Sequence, residues 1–304
     1  MRSAIEIGYR LFDTAEMYGE GGAEEVVGHA IAQALRAGDV RRDELFIVSK
    51  VYPHNASRLG TAAACARSRK RVGLDRIDLY LLHWCGEHAL ADTVAALHEL
   101  VQSGHVGAWG VSNFDVEDMR ELSALAPDCA ANQVYFSLGQ RGAGFALLPW
   151  LHSAAIPLMA YSPIAQGSLA GHRALAAIGE PLGLTAAQLA LAWVLAKDGV
   201  AAIPKAVKAQ HLRDNFAAAG VVLSADVLRL CADINGFSLH AAVRCGADER
   251  QALEQLCRYI TRPPCRPRRA SGPAPRQAQT VHRTVCVRAR PWPTNGCSAT
   301  PRPR

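Results

Sequence analysis

The sequence contains no apolar run of the roughly 20 residues that a bilayer span requires, and no charged-then-apolar leader opens it. Both absences fit a cytoplasmic protein without a membrane partner. Its nine cysteines include no CxxC pair, which argues against a zinc site and against a disulfide framework. Reduced thiols are expected, with Cys65, Cys129 and Cys231 in the core and Cys85 a candidate to line a pocket. No metal site is expected. The glycine fingerprint GxGxxG of the doubly wound dinucleotide fold is also missing.

Charge of one sign is missing from one region. Residues 261 to 304 hold ten arginines and neither a lysine nor an acid, so the +6 of the whole chain leaves −4 for the residues before them. Nine of the sixteen prolines lie in the same stretch. Residues 265–304 show neither period 2 nor period 3.6 and are expected to be disordered. Trp292 is their one aromatic, so nothing there suggests base stacking, and no nucleic-acid partner is expected.

What is present is a long alternation of short apolar runs with amphipathic stretches. Strand candidates are 9–15, 45–50, 79–84, 108–113, 131–136, 157–162 and 200–205. Each is nearly continuous in apolar residues and ends in polar ones, as a parallel strand covered on both faces does. Helical patterns run between them, for example over 23–38 and over 185–199, where Thr185 is a candidate N-cap and Gly199 a stop. So many units in series point to an α/β barrel, with the active site at the ends of the strands.

The polar residues at those ends are Asp13, Tyr18, Lys50, His83, Ser112, Asn113, Gln133, Tyr161 and Lys205. Each alone has a plain structural explanation, such as a cap, a packed aromatic or a surface charge. Together on one rim they would cost several kcal/mol of desolvation unless paired or left wet.

In order, FDTAEMYG, VSK, LLHW, GVSNF, NQVYF, AYSP and IPK resemble the aldo-keto reductase family, over residues 1 to about 236. That resemblance implies a (β/α)8 TIM barrel, NADPH as cofactor with NADH possible, and reduction of an aldehyde or ketone to an alcohol. It implies a catalytic tetrad of Asp13, Tyr18, Lys50 and His83. Tyr18 would hand its proton to the carbonyl oxygen, Lys50 would lower the phenol pKa, Asp13 would hold Lys50, and His83 would orient the substrate. Ser112, Asn113 and Gln133 would bind the nicotinamide carboxamide and Tyr161 would stack on its ring. Lys205, Arg213 and Asn215 would serve the adenosine end. There the sequence departs from the family, with Ala206 where serine is common and His211 where arginine is common. VSKVYPHNAS with LLHW and LLPW is similar to bacterial reductases of small aldehydes such as methylglyoxal, and a monomer is expected.

Two further departures shape the expected architecture. The chain opens within the family's first helix, so the N-terminal hairpin and the first strand are expected to be lacking, leaving seven strands. Removing one strand exposes two unpaired edges. Residues 237–264 resemble an internal piece of a bacterial transposase and are expected to be helical. The alternatives to a reductase are therefore a non-catalytic fused product that cannot close its barrel, and a nucleic-acid binder acting through the basic tail.

Overall fold

The computed structural model describes residues 1–234 and, beyond them, the backbone of a strand at Thr284–Cys286. The expected helical segment 237–264 and the tail 265–304 otherwise lie outside the described residues.

All seven expected strands form: β1 (Leu11–Asp13), β2 (Phe46–Val51), β3 (Ile77–Leu82), β4 (Val106–Ser112), β5 (Asn132–Tyr135), β6 (Leu158–Tyr161) and β7 (Val200–Ile203). They pair in parallel in chain order, each with the next, with registers such as Asp13 opposite Val48 and Lys50 opposite Leu81. The result is a nearly closed barrel of the (β/α)8 type. An eighth strand, β8 (Thr284–Cys286), lies on the free edge of β1 and runs antiparallel to it, with Phe12 opposite Val285. It also lies against β7. Three residues from the tail thus occupy the seam left by a seven-stranded parallel series.

Helices cover the barrel: α1 (Arg2–Ile7), α2 (Gly22–Ala37), α3 (Arg58–Val72), α4 (Leu90–Gln102), α5 (Val116–Leu125), α6 (Leu147–Ser153), α7 (Arg173–Gly179), α8 (Ala186–Leu195), α9 (Ala209–Ala218) and α10 (Ala225–Ala232). Their starts follow local chemistry. The Thr185 hydroxyl accepts from the Gln188 N–H at 3.2 Å, and Asp115 accepts from the Glu117 and Asp118 N–H groups at 2.8 and 2.9 Å. α8 ends at Leu195 rather than running to Gly199, which instead takes a left-handed turn, φ 72°, into β7.

Two apolar layers result from the strand pleat. One set of side chains faces the helices, and a second fills the barrel interior with Leu11, Val48, Leu79, Leu81, Ala131, Met159, Ala201 and Ile203. α9 is tied to the lead-in of β1, where the Tyr9 hydroxyl donates to the Leu212 carbonyl at 2.7 Å. Phe216 packs beside it over Gly8, whose φ of 121° and a ring carbon 2.9 Å from a would-be Cβ exclude a side chain. The thiols of Cys65, Cys129 and Cys231 are free and buried, and burial pushes Cys65 and Cys129 up to about 12. Cys85 corrects the expectation of reduced thiols, because it is disulfide-bonded. It does line a cavity, of about 670 Å³, with Leu82, Leu90 and Leu125.

Candidate active site

The same pleat that fills the barrel interior builds the site. Interior residues recur every second position along a strand. Two residues beyond an interior apolar side chain stands a polar one: Leu11 then Asp13, Val48 then Lys50, Leu81 then His83, Ala131 then Gln133, Met159 then Tyr161, and Ile203 then Lys205. The strand ends therefore aim these groups at one rim.

Lys50 is fully buried, and its Nζ donates to Asp13 Oδ2 at 2.7 Å and to the Thr14 carbonyl at 2.8 Å. The Tyr18 hydroxyl lies 3.5 Å from the same nitrogen. Asp13 is equally buried, and its other oxygen accepts from Gln133 Nε2 at 2.7 Å. Burial opposes the ammonium most strongly, but Asp13 at 2.7 Å and the Tyr18 hydroxyl together outweigh it, so Lys50 titrates above its ordinary value and stays charged. His83 packs edge-on against Tyr18, with ring centroids 5.6 Å apart. Burial first and the Lys50 charge second push the imidazole down to about 2, so it is neutral. Its Nδ1 is buried without a hydrogen-bond partner among the described residues.

Against the larger effect of burial, Lys50 acts on the phenol in the expected direction, lowering its pKa. Burial raises the Tyr18 pKa, Lys50 lowers it and the Asp13 charge raises it again, leaving the hydroxyl above its ordinary value. Lys50 thus offsets part of the desolvation and does not produce a net acidic shift. Tyr18 consequently holds its proton firmly at neutral pH.

Beside this tetrad lies a cluster of amides and hydroxyls. Asn113, at a left-handed φ of 62°, donates from Nδ2 to the His83 carbonyl at 3.0 Å and accepts at Oδ1 from the Tyr161 hydroxyl at 2.9 Å. Ser112 donates to the Gln133 carbonyl at 2.8 Å. Tyr161 stacks nearly parallel on Tyr135, at 5.5 Å and 19°. Lys205 and His211 are exposed beyond β7, and Asn215 is buried on α9. Arg213, exposed on the same helix, lines a cleft of about 400 Å³ with Ser3, Glu6 and Ile7 of α1. Among the described residues no group of three or more His, Cys, Asp and Glu is arranged to hold a metal, and no single helix is long and apolar enough to cross a bilayer.

The sequence profile of the aldo/keto reductase family matches residues 1–235. The chain belongs to this family. It is 44% identical over 237 residues to methylglyoxal reductase YeaE of Escherichia coli, covering 76% of this chain and 81% of that protein. Glyoxal reductase of Bacillus subtilis is 38% identical over 220 residues, covering 71% and 75%. Among solved structures, an aldo/keto reductase from Klebsiella pneumoniae in complex with NADP and acetate superposes with a TM-score of 0.73 at 43% identity, covering 77% of this chain and 83% of that one. Family membership makes this an oxidoreductase acting on small carbonyl compounds.

Three contributions to the site come from residues inside the motifs but are not announced by them. Thr14 acts through its carbonyl, which no side-chain pattern reports. Gln133 braces Asp13 as well as facing the amide cluster. Glu16, inside DTAEMYG itself, makes a buried set of contacts described below.

Proposed function

We propose that this protein uses NADPH to reduce small aldehydes of the methylglyoxal class to alcohols, with Asp13, Tyr18, Lys50 and His83 as its catalytic residues. The single observation that carries the reading is the fully buried Lys50 ammonium, held by Asp13 and Thr14 and directed at the Tyr18 hydroxyl. When bound, the cofactor supplies the hydride. Negative charge then gathers on the carbonyl oxygen, and Tyr18 Oη gives its proton to that oxygen. The phenolate left behind sits beside Lys50, whose charge stabilises it at the moment it forms. Asp13 and Gln133 keep Lys50 in place throughout. His83 is neutral and so retains one N–H, which would hold the substrate oxygen in line with Tyr18.

The residues present fit a nicotinamide dinucleotide. The Asn113 carboxamide is held at both ends and Ser112 is fixed beside it, so this rim offers a rigid polar border with acceptor lone pairs to spare for an amide. Lys205 and Lys208 are exposed cations that make no ion pair among the described residues, as a phosphate site requires. Ala206 and His211 supply less than the usual serine and arginine, which admits NADH as the second cofactor. The protein is taken to be a cytoplasmic monomer.

The test is a fluorescence titration with NADPH followed by aldehyde-dependent loss of nicotinamide absorbance with methylglyoxal. Binding and turnover together support the reading. A well-folded protein that binds neither NADPH nor NADH, or that binds and reduces no small aldehyde, rules it out.

A further inference from the structure

Glu16 lies two residues before Tyr18 and is 8% exposed, an unusual burial for a carboxylate. Its Oε1 accepts from the Tyr52 N–H at 2.7 Å and from Asn55 Nδ2 at 3.0 Å, while Oε2 faces Arg67 at 3.3 Å. Its own N–H donates to the Lys50 carbonyl at 3.4 Å. The loop after β1 is thereby fastened to the loop after β2. Tyr52, held through its backbone, packs on Trp84 with ring centroids 5.1 Å apart. Trp84 in turn packs on His83 at 4.7 Å, and His83 on Tyr18 at 5.6 Å. One carboxylate thus stands behind a continuous row of rings that ends at the proton donor.

We propose that Glu16 is a positioning residue for carbonyl reduction, whose buried carboxylate clamps the Tyr18 loop to the Tyr52 loop and so sets the aromatic wall against which the substrate lies. The inference rests on the reductase reading above. The Glu16 carboxylate bonds to Tyr52, Asn55 and Arg67, none of which belongs to the residues assigned to the cofactor. The clamp therefore acts on the carbonyl substrate and not on the cofactor. Both loop donors use Oε1, which a glutamine keeps. The third arm reaches a half-exposed guanidinium, and such a pair contributes little.

The experiment compares Glu16→Ala with Glu16→Gln in the full chain, measuring KM and kcat for methylglyoxal, the NADPH dissociation constant by fluorescence quenching, and the melting temperature. Glu16→Ala is expected to raise KM about tenfold, the scale on which misplaced substrate-positioning groups act. Its NADPH affinity stays within about twofold of the parent, and Glu16→Gln stays within about twofold on every readout. An unchanged KM in Glu16→Ala overturns the proposal. So does a parallel loss of NADPH affinity, or a Glu16→Gln as damaged as the alanine variant, since either means general loosening. If Glu16→Ala fails to fold, Asn55→Ala removes one of the two donors, and a KM that does not rise there overturns the proposal as well. A parent protein without turnover refutes the reductase reading first and takes this inference with it.

Discussion

Gln133 Nε2 donates to Asp13 Oδ1 across 2.7 Å, joining residues 120 positions apart in the chain. The other Asp13 oxygen receives Lys50, so one buried carboxylate is braced from β5 on one side and β2 on the other. Gln133→Met preserves the volume and removes the donor. It leaves Asp13 Oδ1 buried without a partner, which costs about 1–3 kcal/mol. Denaturant unfolding in the absence of any cofactor should show that loss. Stability equal to the parent would mean that the brace is not made in solution.

Tyr18→Phe removes the proton donor while Lys50 keeps its two shorter bonds, to Asp13 and to the Thr14 carbonyl. Turnover of methylglyoxal should fall by about 10²–10⁴, with NADPH affinity unchanged. Because burial outweighs Lys50 and keeps the phenol protonated, kcat of the parent should show no loss between neutral pH and the ordinary tyrosine range near 10. A kcat that declines above neutrality would point to a net acidic Tyr18.

Lys50→Met tests the reverse relationship. Asp13 would remain buried without its cation, and breaking one partner of such a pair costs about 3–5 kcal/mol. The parent pair also has a sign in pH. The Lys50 pKa is raised in the folded protein, so its contribution is whole below the ordinary lysine value and is lost only as pH climbs through the folded one. The melting temperature of Lys50→Met should lie well below that of the parent at pH 7, and the deficit should shrink toward pH 11.

The barrel and much of its rim were legible in the sequence for a physical reason. Period-two alternation is local, so Leu11 before Asp13, Val48 before Lys50 and Ala131 before Gln133 can be read from neighbours. What depends on the whole environment was not. The direction of the Tyr18 shift turns on burial and the opposed charges of Lys50 and Asp13, and no motif reports burial. The pairing of Thr284–Cys286 with β1 joins segments far apart, and a three-residue run in an arginine- and proline-rich stretch is too short to stand out.

His83 gives the protein an acid-labile element. Its folded pKa, near 2, lies far below the ordinary 6.5, so the unfolded chain binds a proton that the native state refuses. Stability from this group is whole above about pH 6.5 and declines as pH falls toward 2, by at most about 1.4 kcal/mol per unit. His83→Gln, which carries no titrating ring, should flatten the curve of unfolding free energy against pH between 6 and 4. Parallel curves for the two proteins would place the acid sensitivity elsewhere.

The seam is the remaining mechanical question. A parallel series that stops at seven strands has open edges on β1 and β7, and an open edge is a template for pairing with another chain. β8 meets the first of these through Leu11, Phe12 and Asp13, the strand that delivers Asp13 to Lys50. A chain ending at residue 264 loses that strand. It should melt at a lower temperature than the full chain and should aggregate more on heating, with a matching loss of NADPH affinity as the β1 end loosens. Equal melting temperatures, read by circular dichroism at equal concentration, would show that β1 needs no partner on that side.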